Sequence, residues 1–419
     1  MPAPRQPPKF RWVFLSTARI AAPPLHPSAL ARRWAVVALG ATLLSGAWLR
    51  AAIAWPSLAG GINVLFGVHA HSHVAFFGWV VLAVASIAAR QVTWTARSMT
   101  QWRWLVHALG VLAIVALVAF AYTGYAAPTI ALSAVHVLLW IPLVRLAWPL
   151  HLATAAERAW WRVAWMALLA AGTATLIPGV LAARGIRDGW WREFGIKLFL
   201  ALFLNGFAGL SAMGLLAASG TLNARQVRWG AWARRAIAAS LLPLAILYVA
   251  APPPMPGLVW VGRAAVGIVG AGTLLVVILA WPRPQAGWTR LAIPAFGIAG
   301  VLEIMAATGV GSQLMHDRPI TIAFTHLMLL LAVSPILAAT LAWPRVAVRR
   351  PVIAACGAGA MCAALAAYGW PWLGAHASAA GLGPMQLLTL AALGGLLAAG
   401  AWLSLLPLLF GAHAPEEPV

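Results

Sequence analysis

The sequence predicts an all-α fold, a polytopic membrane helix bundle of about twelve transmembrane helices, and three observations carry that prediction. The 419 residues are 63% hydrophobic and 8% charged, where a soluble domain has about a quarter of its residues charged. Apolar windows of about 20 residues, the length that crosses the hydrocarbon core, recur twelve times. Basic residues collect in short clusters between alternate windows, the asymmetry that orients membrane helices.

Residues 1–33 are rich in Pro and Arg and read as a cytoplasmic tail, with too short an apolar stretch for a signal sequence. Spans are expected near 34–55, 62–88, 102–124, 128–149, 160–183, 195–218, 233–251, 257–281, 289–309, 319–343, 352–374 and 383–410. Together they make one bundle over 34–410, with a second cytoplasmic tail at 411–419. The clearest breaks are APPPMPG (251–257), WPRP (281–284) and WPRVAVRRP (343–351), because proline clusters end helices and arginines belong in water. No internal repeat is visible.

Orientation follows from the loops. Arg32 and Arg33 precede the first span; Arg90, Arg97 and Arg103 join the second and third; Arg145, Arg158 and Arg162 join the fourth and fifth. The pattern continues with Arg225, Arg228, Arg234 and Arg235, with Arg283 and Arg290, and with Arg345, Arg349 and Arg350. Both termini are therefore expected in the cytoplasm of a bacterial cell, with the bundle in its inner membrane. The basic segment 184–197 is the exception, partly offset by Asp188 and Glu193. The net charge of +21 is spread over these loops, which points to anionic lipid of the bilayer as partner and not to nucleic acid. The two cysteines, Cys356 and Cys362, match neither a disulfide framework nor a zinc motif.

The second span opens with His69, His71 and His73, three imidazoles at every second position of an apolar run. Ionisable side chains inside a membrane are costly and mark functional sites, and imidazole is a frequent ligand of haem iron, copper and zinc. At a rise of about 1.5 Å per residue these histidines lie about 12–18 Å below the outer surface. By the same rise His136 of the fourth span lies about 12 Å deep and His326 of the tenth about 10 Å deep. Glu303, near the outer end of the ninth span, falls at a similar level and is a candidate proton relay. The expectation is a cavity in the outer half of the bundle lined by His71, His73 and His326. Residues two apart on a helix diverge by about 200° and residues four apart by about 40°. His69 and His73 therefore share a flank and His71 faces the opposite one, so one helix can serve two sites. The bland alternative is polar bonding between helices, which is also the expected role of Asn205. The 24 tryptophans suit an aromatic belt.

The run His71-Ser72-His73-Val74-Ala75-Phe76-Phe77-Gly78-Trp79 resembles the histidine-rich second helix of divergent members of the haem–copper oxidase superfamily, the subunit I-like proteins. Its H-x-H-x-x-x-F-G core is also similar to the NnrS family of twelve-span haem- and copper-containing proteins associated with nitric oxide. TIAFTHLMLLLAVSPIL (321–337) resembles a late helix of the oxidase-like group, with His326 on its histidine. FLALFLNGFAGLSAMG (199–214) resembles its sixth span. The resemblance implies haem b, held by His73 or His71 with His326, and copper as a second cofactor. Spacing and depth add His69 as a further cofactor-binding residue and His136 to His71, His73 and His326 as candidate metal ligands. The resemblance also implies redox partners or oxidase subunits, and electron transfer or NO/O2 sensing. The chain departs from that group where it matters for oxygen reduction: Ala201 stands where relatives carry a histidine, and there is no adjacent histidine pair and no late H-x-H. A complete oxygen-reducing centre is not expected. A secondary transporter, for a metal ion or coupled to protons, with the histidines and Glu303 carrying its cargo, is the alternative reading.

Overall fold

The computed structural model describes residues 26–186, 189–218, 224–249, 253–281, 287–314, 316–342 and 349–407. It contains twelve helices long and apolar enough to cross a membrane, and no strand among the described residues. They are α1 (Pro27–Ala54), α2 (Val64–Ala89), α3 (Ala96–Thr123), α4 (Ala127–Ala147), α5 (Ala155–Leu181) and α6 (Trp190–Ala217). The second half comprises α7 (Ala224–Leu247), α8 (Leu258–Ala280), α9 (Thr289–Ala306), α10 (Arg318–Leu341), α11 (Arg350–Gly369) and α12 (Pro384–Leu403).

Local chemistry sets the ends. Pro27 occupies the first turn of α1, where its missing N–H costs nothing, and His26 caps that turn by accepting from the Ser28 amide. α1 therefore begins seven residues before the apolar window expected at 34. α7 begins at Ala224, well before 233, because the Arg-rich segment is helical while too polar to register as a span. Thr154 and Glu157 form a reciprocal capping box at the start of α5. Asp317 caps α10 at the Ile320 amide. Beyond α11 the chain turns into a separate short helix, Pro371–Ala379, where the sequence suggested continuation to 374. The tails and the break at 343–348 lie outside the described residues, except for 26–33.

The twelve helices divide into an inner and an outer set. In the apolar core of the span, 89% of α2, 83% of α6 and 61% of α10 is buried, against 28–50% for the other nine. The outer nine close a ring in which α12 returns to α1. Small residues let neighbours approach: a Cβ on Gly357 of α11 would lie 2.8 Å from the Gly394 carbonyl of α12. The three inner helices recur every fourth span, so the bundle reads as three arcs of four helices, a period that the sequence does not display. Each inner helix also carries a π-helical segment: Val74–Val80, Leu202–Gly209 and Leu327–Val333. Such wide turns place an extra residue in the helix and are frequent at functional sites. α2 and α10 are tied by Trp79 Nε1, which donates to Ser334 Oγ at 2.8 Å, and by Arg90, which donates to the Thr340 carbonyl at 2.9 Å.

Candidate cofactor site

A cavity of about 1600 Å³ lies among the inner helices, larger than the usual 300–1,000 Å³ of a small-molecule pocket. His69, His71, His73 and His326 all line it. The alternating spacing works as the helical geometry requires, with His71 and His73 on different flanks of α2. One lobe lies between α1, α2, α10 and α12 and receives His71; the other lies between α2, α4, α5 and α6 and is the side of His69 and His73.

In the first lobe the His71 and His326 rings are nearly parallel, 9° apart, with centroids 6.3 Å apart. Each is held from behind. His326 Nδ1 donates to the Ile322 carbonyl, one turn earlier, at 2.7 Å. His71 Nδ1 lies 3.2 Å from Ser45 Oγ. The Ser45 hydroxyl proton is directed to the Ala41 carbonyl at 2.7 Å, so Ser45 Oγ accepts from His71. With Nδ1 protonated on both rings, each Nε2 keeps its lone pair, and the Thr42 carbonyl is a second acceptor, from the backbone, beside His71. Gly46 forms the floor of the His71 slot: a Cβ there would sit 2.8 Å from His71 Cε1. Arg50 of α1 lines the same lobe and lies close enough to act electrostatically on both imidazoles.

The second lobe differs. His73 Nδ1 donates to the His69 carbonyl at 2.8 Å, and its ring stacks on Phe120 with centroids 4.1 Å apart. His69 packs edge-on against Tyr125 at 4.6 Å. The structure thus puts His69 and His73 on one side but gives them no opposing imidazole. His136 does not line the cavity. It is 1% exposed, stacks on Phe77 at 4.8 Å, and is separated from His73 by that ring. Neither of its ring nitrogens makes a well-formed hydrogen bond.

Glu303 is also away from the cavity, 2% exposed on α9, where Asn205 Nδ2 donates to its Oε1 at 2.8 Å. Asn205 is the polar residue of the α6 π-helical segment, so the helix–helix bonding expected of it is what it does. A chamber of about 40 Å³ beside this pair is lined by Lys197, Asn205, Tyr248, Thr321 and Thr325. Lys197, Thr321 and Thr325 line the large cavity as well. Glu303 is therefore linked to the cavity wall through neighbours.

Among the described residues no three or more His, Cys, Asp or Glu side chains converge as they would to hold a bare metal ion. Sequence reasoning missed Ser45, Gly46 and Arg50, all on α1. The available signal was Arg50, a guanidinium inside an apolar window, which by cost alone marks a site. No protein-family model matches the chain, and no curated protein matches it.

Proposed function

We propose that this polytopic membrane protein binds haem b between His71 and His326, and that it is a divergent relative of haem–copper oxidase subunit I and the NnrS-like proteins. It serves electron transfer or NO/O2 sensing with a redox partner or oxidase subunits, in the bacterial inner membrane with both termini cytoplasmic. The spacing of the two imidazoles carries the reading. Two imidazoles that would hold one metal, each through a nitrogen at about 2.0–2.1 Å and with about 1.1–1.2 Å from that nitrogen to the ring centre, would stand about 6.2–6.6 Å apart between centroids. The His71 and His326 centroids are 6.3 Å apart.

The donor set favours haem over a bare copper ion. Two imidazoles leave most of a coordination shell empty, and a porphyrin supplies the remaining four nitrogens. Haem is also an anionic amphiphile, and the cavity lining suits one: it is mostly apolar, contains Arg50 and Arg318 on this side, and has no carboxylate among the described residues. Bound haem supplies a one-electron couple. The chain's part is to present two neutral Nε2 donors, fixed in tautomer by Ser45 and the Ile322 carbonyl. Arg50 would give a cation for an acidic group of the bound haem, and Leu39, Leu43 and Leu329 keep water from the ligands.

The test is the visible spectrum of protein expressed with ample haem and purified in mild detergent. A low-spin, two-imidazole haem is expected, lost or converted in His71→Ala and in His326→Ala and kept in His73→Ala. Protein that binds no haem, or loses it only with His73, would overturn the assignment; in the first case the transporter reading takes over.

A further inference from the structure

The second lobe opens sideways, towards the lipid. α4 and α5 touch where Gly172 faces Val137 and Trp140, so closely that a Cβ on Gly172 would lie 2.7 Å from Val137 Cγ1. Past that crossing α5 breaks at Thr175, whose hydroxyl donates to the Gly172 carbonyl at 2.6 Å. Its outer part, Leu176–Ala183, leans onto α6, where Gly195 meets Ile177 and Pro178. α4 is left without that partner. Leu138 and Ile141 on α4 and Leu176 and Val180 on α5 are 52–62% exposed and yet line the cavity. An exposed apolar seam leading into an apolar chamber is an entry from the bilayer.

The chamber behind the seam has two levels. Arg192 lies in the first turn of α6, close enough to act electrostatically on His69 and Tyr125, and Ser133 of α4 lines the same side. Lys197, two residues past Gly195, lies on the opposite flank of α6, beside Tyr248, Thr321 and Thr325. Ser133 Oγ has no hydrogen-bond partner, and neither does Nε1 of Trp140 deeper in. Below them the walls are Val137, Leu169, Phe199 and Leu200. Glu193, one turn before Lys197, acts on it electrostatically but does not line the chamber. Among the described residues the wall is therefore cationic and hydroxylic at the rim and apolar beneath, with no acidic residue in it.

We propose that this lobe binds one anionic phospholipid, its phosphate at Arg192 and one acyl chain passing between α4 and α5 into the chamber. A chain tail fits the apolar floor, and a phosphate supplies a charged acceptor for Arg192. The site needs no cofactor in the other lobe.

The test uses the full-length protein in nanodiscs of phosphatidylcholine with increasing phosphatidylglycerol, read by native mass spectrometry after delipidation. One phosphatidylglycerol should be retained and phosphatidylcholine should not. Arg192→Gln should weaken retention about fivefold, as loss of one basic contact to an anionic headgroup predicts. Arg225→Gln with Arg228→Gln, at the other end of the bundle, should leave it unchanged. A second arm needs no loss of charge: a bimane on Ser133→Cys, in a Cys356→Ser, Cys362→Ser background, should be quenched at several-fold lower mole fraction by bromo-acyl phosphatidylglycerol than by its phosphatidylcholine counterpart. Equal retention of the two lipids, equal loss in the control pair, or equal quenching by both would each overturn the proposal and leave a non-selective lipid annulus.

Discussion

Gly46→Ala should remove the haem ligation proposed at His71 while costing no more than about 2.5 kcal/mol of stability. The added methyl would sit 2.8 Å from His71 Cε1, 3.3 Å from Nδ1 and 3.5 Å from Nε2. Ordinary carbon contacts need about 3.5–4.0 Å, so the ring must withdraw by about 0.7 Å or more. A metal–ligand distance tolerates about 0.2 Å, several times less than that displacement. The withdrawal also strains the Nδ1 bond to Ser45, which stands at 3.2 Å already. Overpacking costs about 1–3 kcal/mol, and replacing a mid-helix glycine with alanine returns about 0.5–1 kcal/mol. The net loss is then between about zero and 2.5 kcal/mol, too small to unfold the bundle. Two measurements on one preparation separate the effects: the visible spectrum, and the thermal midpoint followed by helical circular dichroism. Gly400→Ala on α12 is the control, since a Cβ there meets nothing within 4 Å; it should keep both spectrum and midpoint. A Gly46→Ala protein with an unaltered two-imidazole spectrum would refute the assignment of His71 as a ligand.

Three further outcomes are expected. Asn205→Leu leaves the Glu303 carboxyl buried without its partner and should cost about 1–3 kcal/mol in denaturation, whereas adding Glu303→Leu should restore most of it, because removing both partners of a buried pair is far cheaper than removing one; additive losses would show that the two do not interact. Arg90→Ala removes a charged donor from the last carbonyls of α10 and should cost about 1.5–3 kcal/mol in the same measurement, with a change below 0.5 kcal/mol counting against the tie between α2 and α10. Reporter fusions should place the segment 184–197 opposite the C-terminus, and finding both on one side would overturn the orientation read from the arginines.

The spans were legible because membrane burial acts on composition, and composition is local. The flank assignment in α2 was legible because a 200° step between His71 and His73 follows from helix geometry alone. What could not be read is pairing. Asn205 and Glu303 are 98 residues apart, and nothing in either segment names the other. Gly46 reads as one small residue among many until His71 is seen resting on it. The π-helical segments were hidden for a related reason: in a run buried on every side, such as Val74–Val80, no polar face exists to reveal that the periodicity has changed. Depth alone also does not say which residues line the cavity: His136 lies outside the lining, stacked on the Phe77 ring.

The three π-helical segments bear on why the imidazoles meet where they do. Those of α2 and α10 begin at Val74 and Leu327, immediately after His73 and His326. A helix that widens at that point is no longer in phase with its own first turns. The histidine-bearing turns can then follow one set of neighbours while the lower halves follow another, and the lower halves are locked together by Trp79, Ser334 and Arg90. Two inner helices bonded at one end and separated by a 6.3 Å imidazole gap near the other describe a wedge. In α6 the widened segment contains Asn205, and there a carboxyl from α9 closes onto the helix, so a direct bond replaces the gap. The same backbone device thus serves an open site between α2 and α10 and a closed polar contact between α6 and α9. At the wide turn of α10 the His326 imidazole is bonded through Nδ1 to the Ile322 carbonyl and keeps its Nε2 lone pair, while at that of α6 the Asn205 amide nitrogen donates to Glu303 and its Oδ1 is left without a partner.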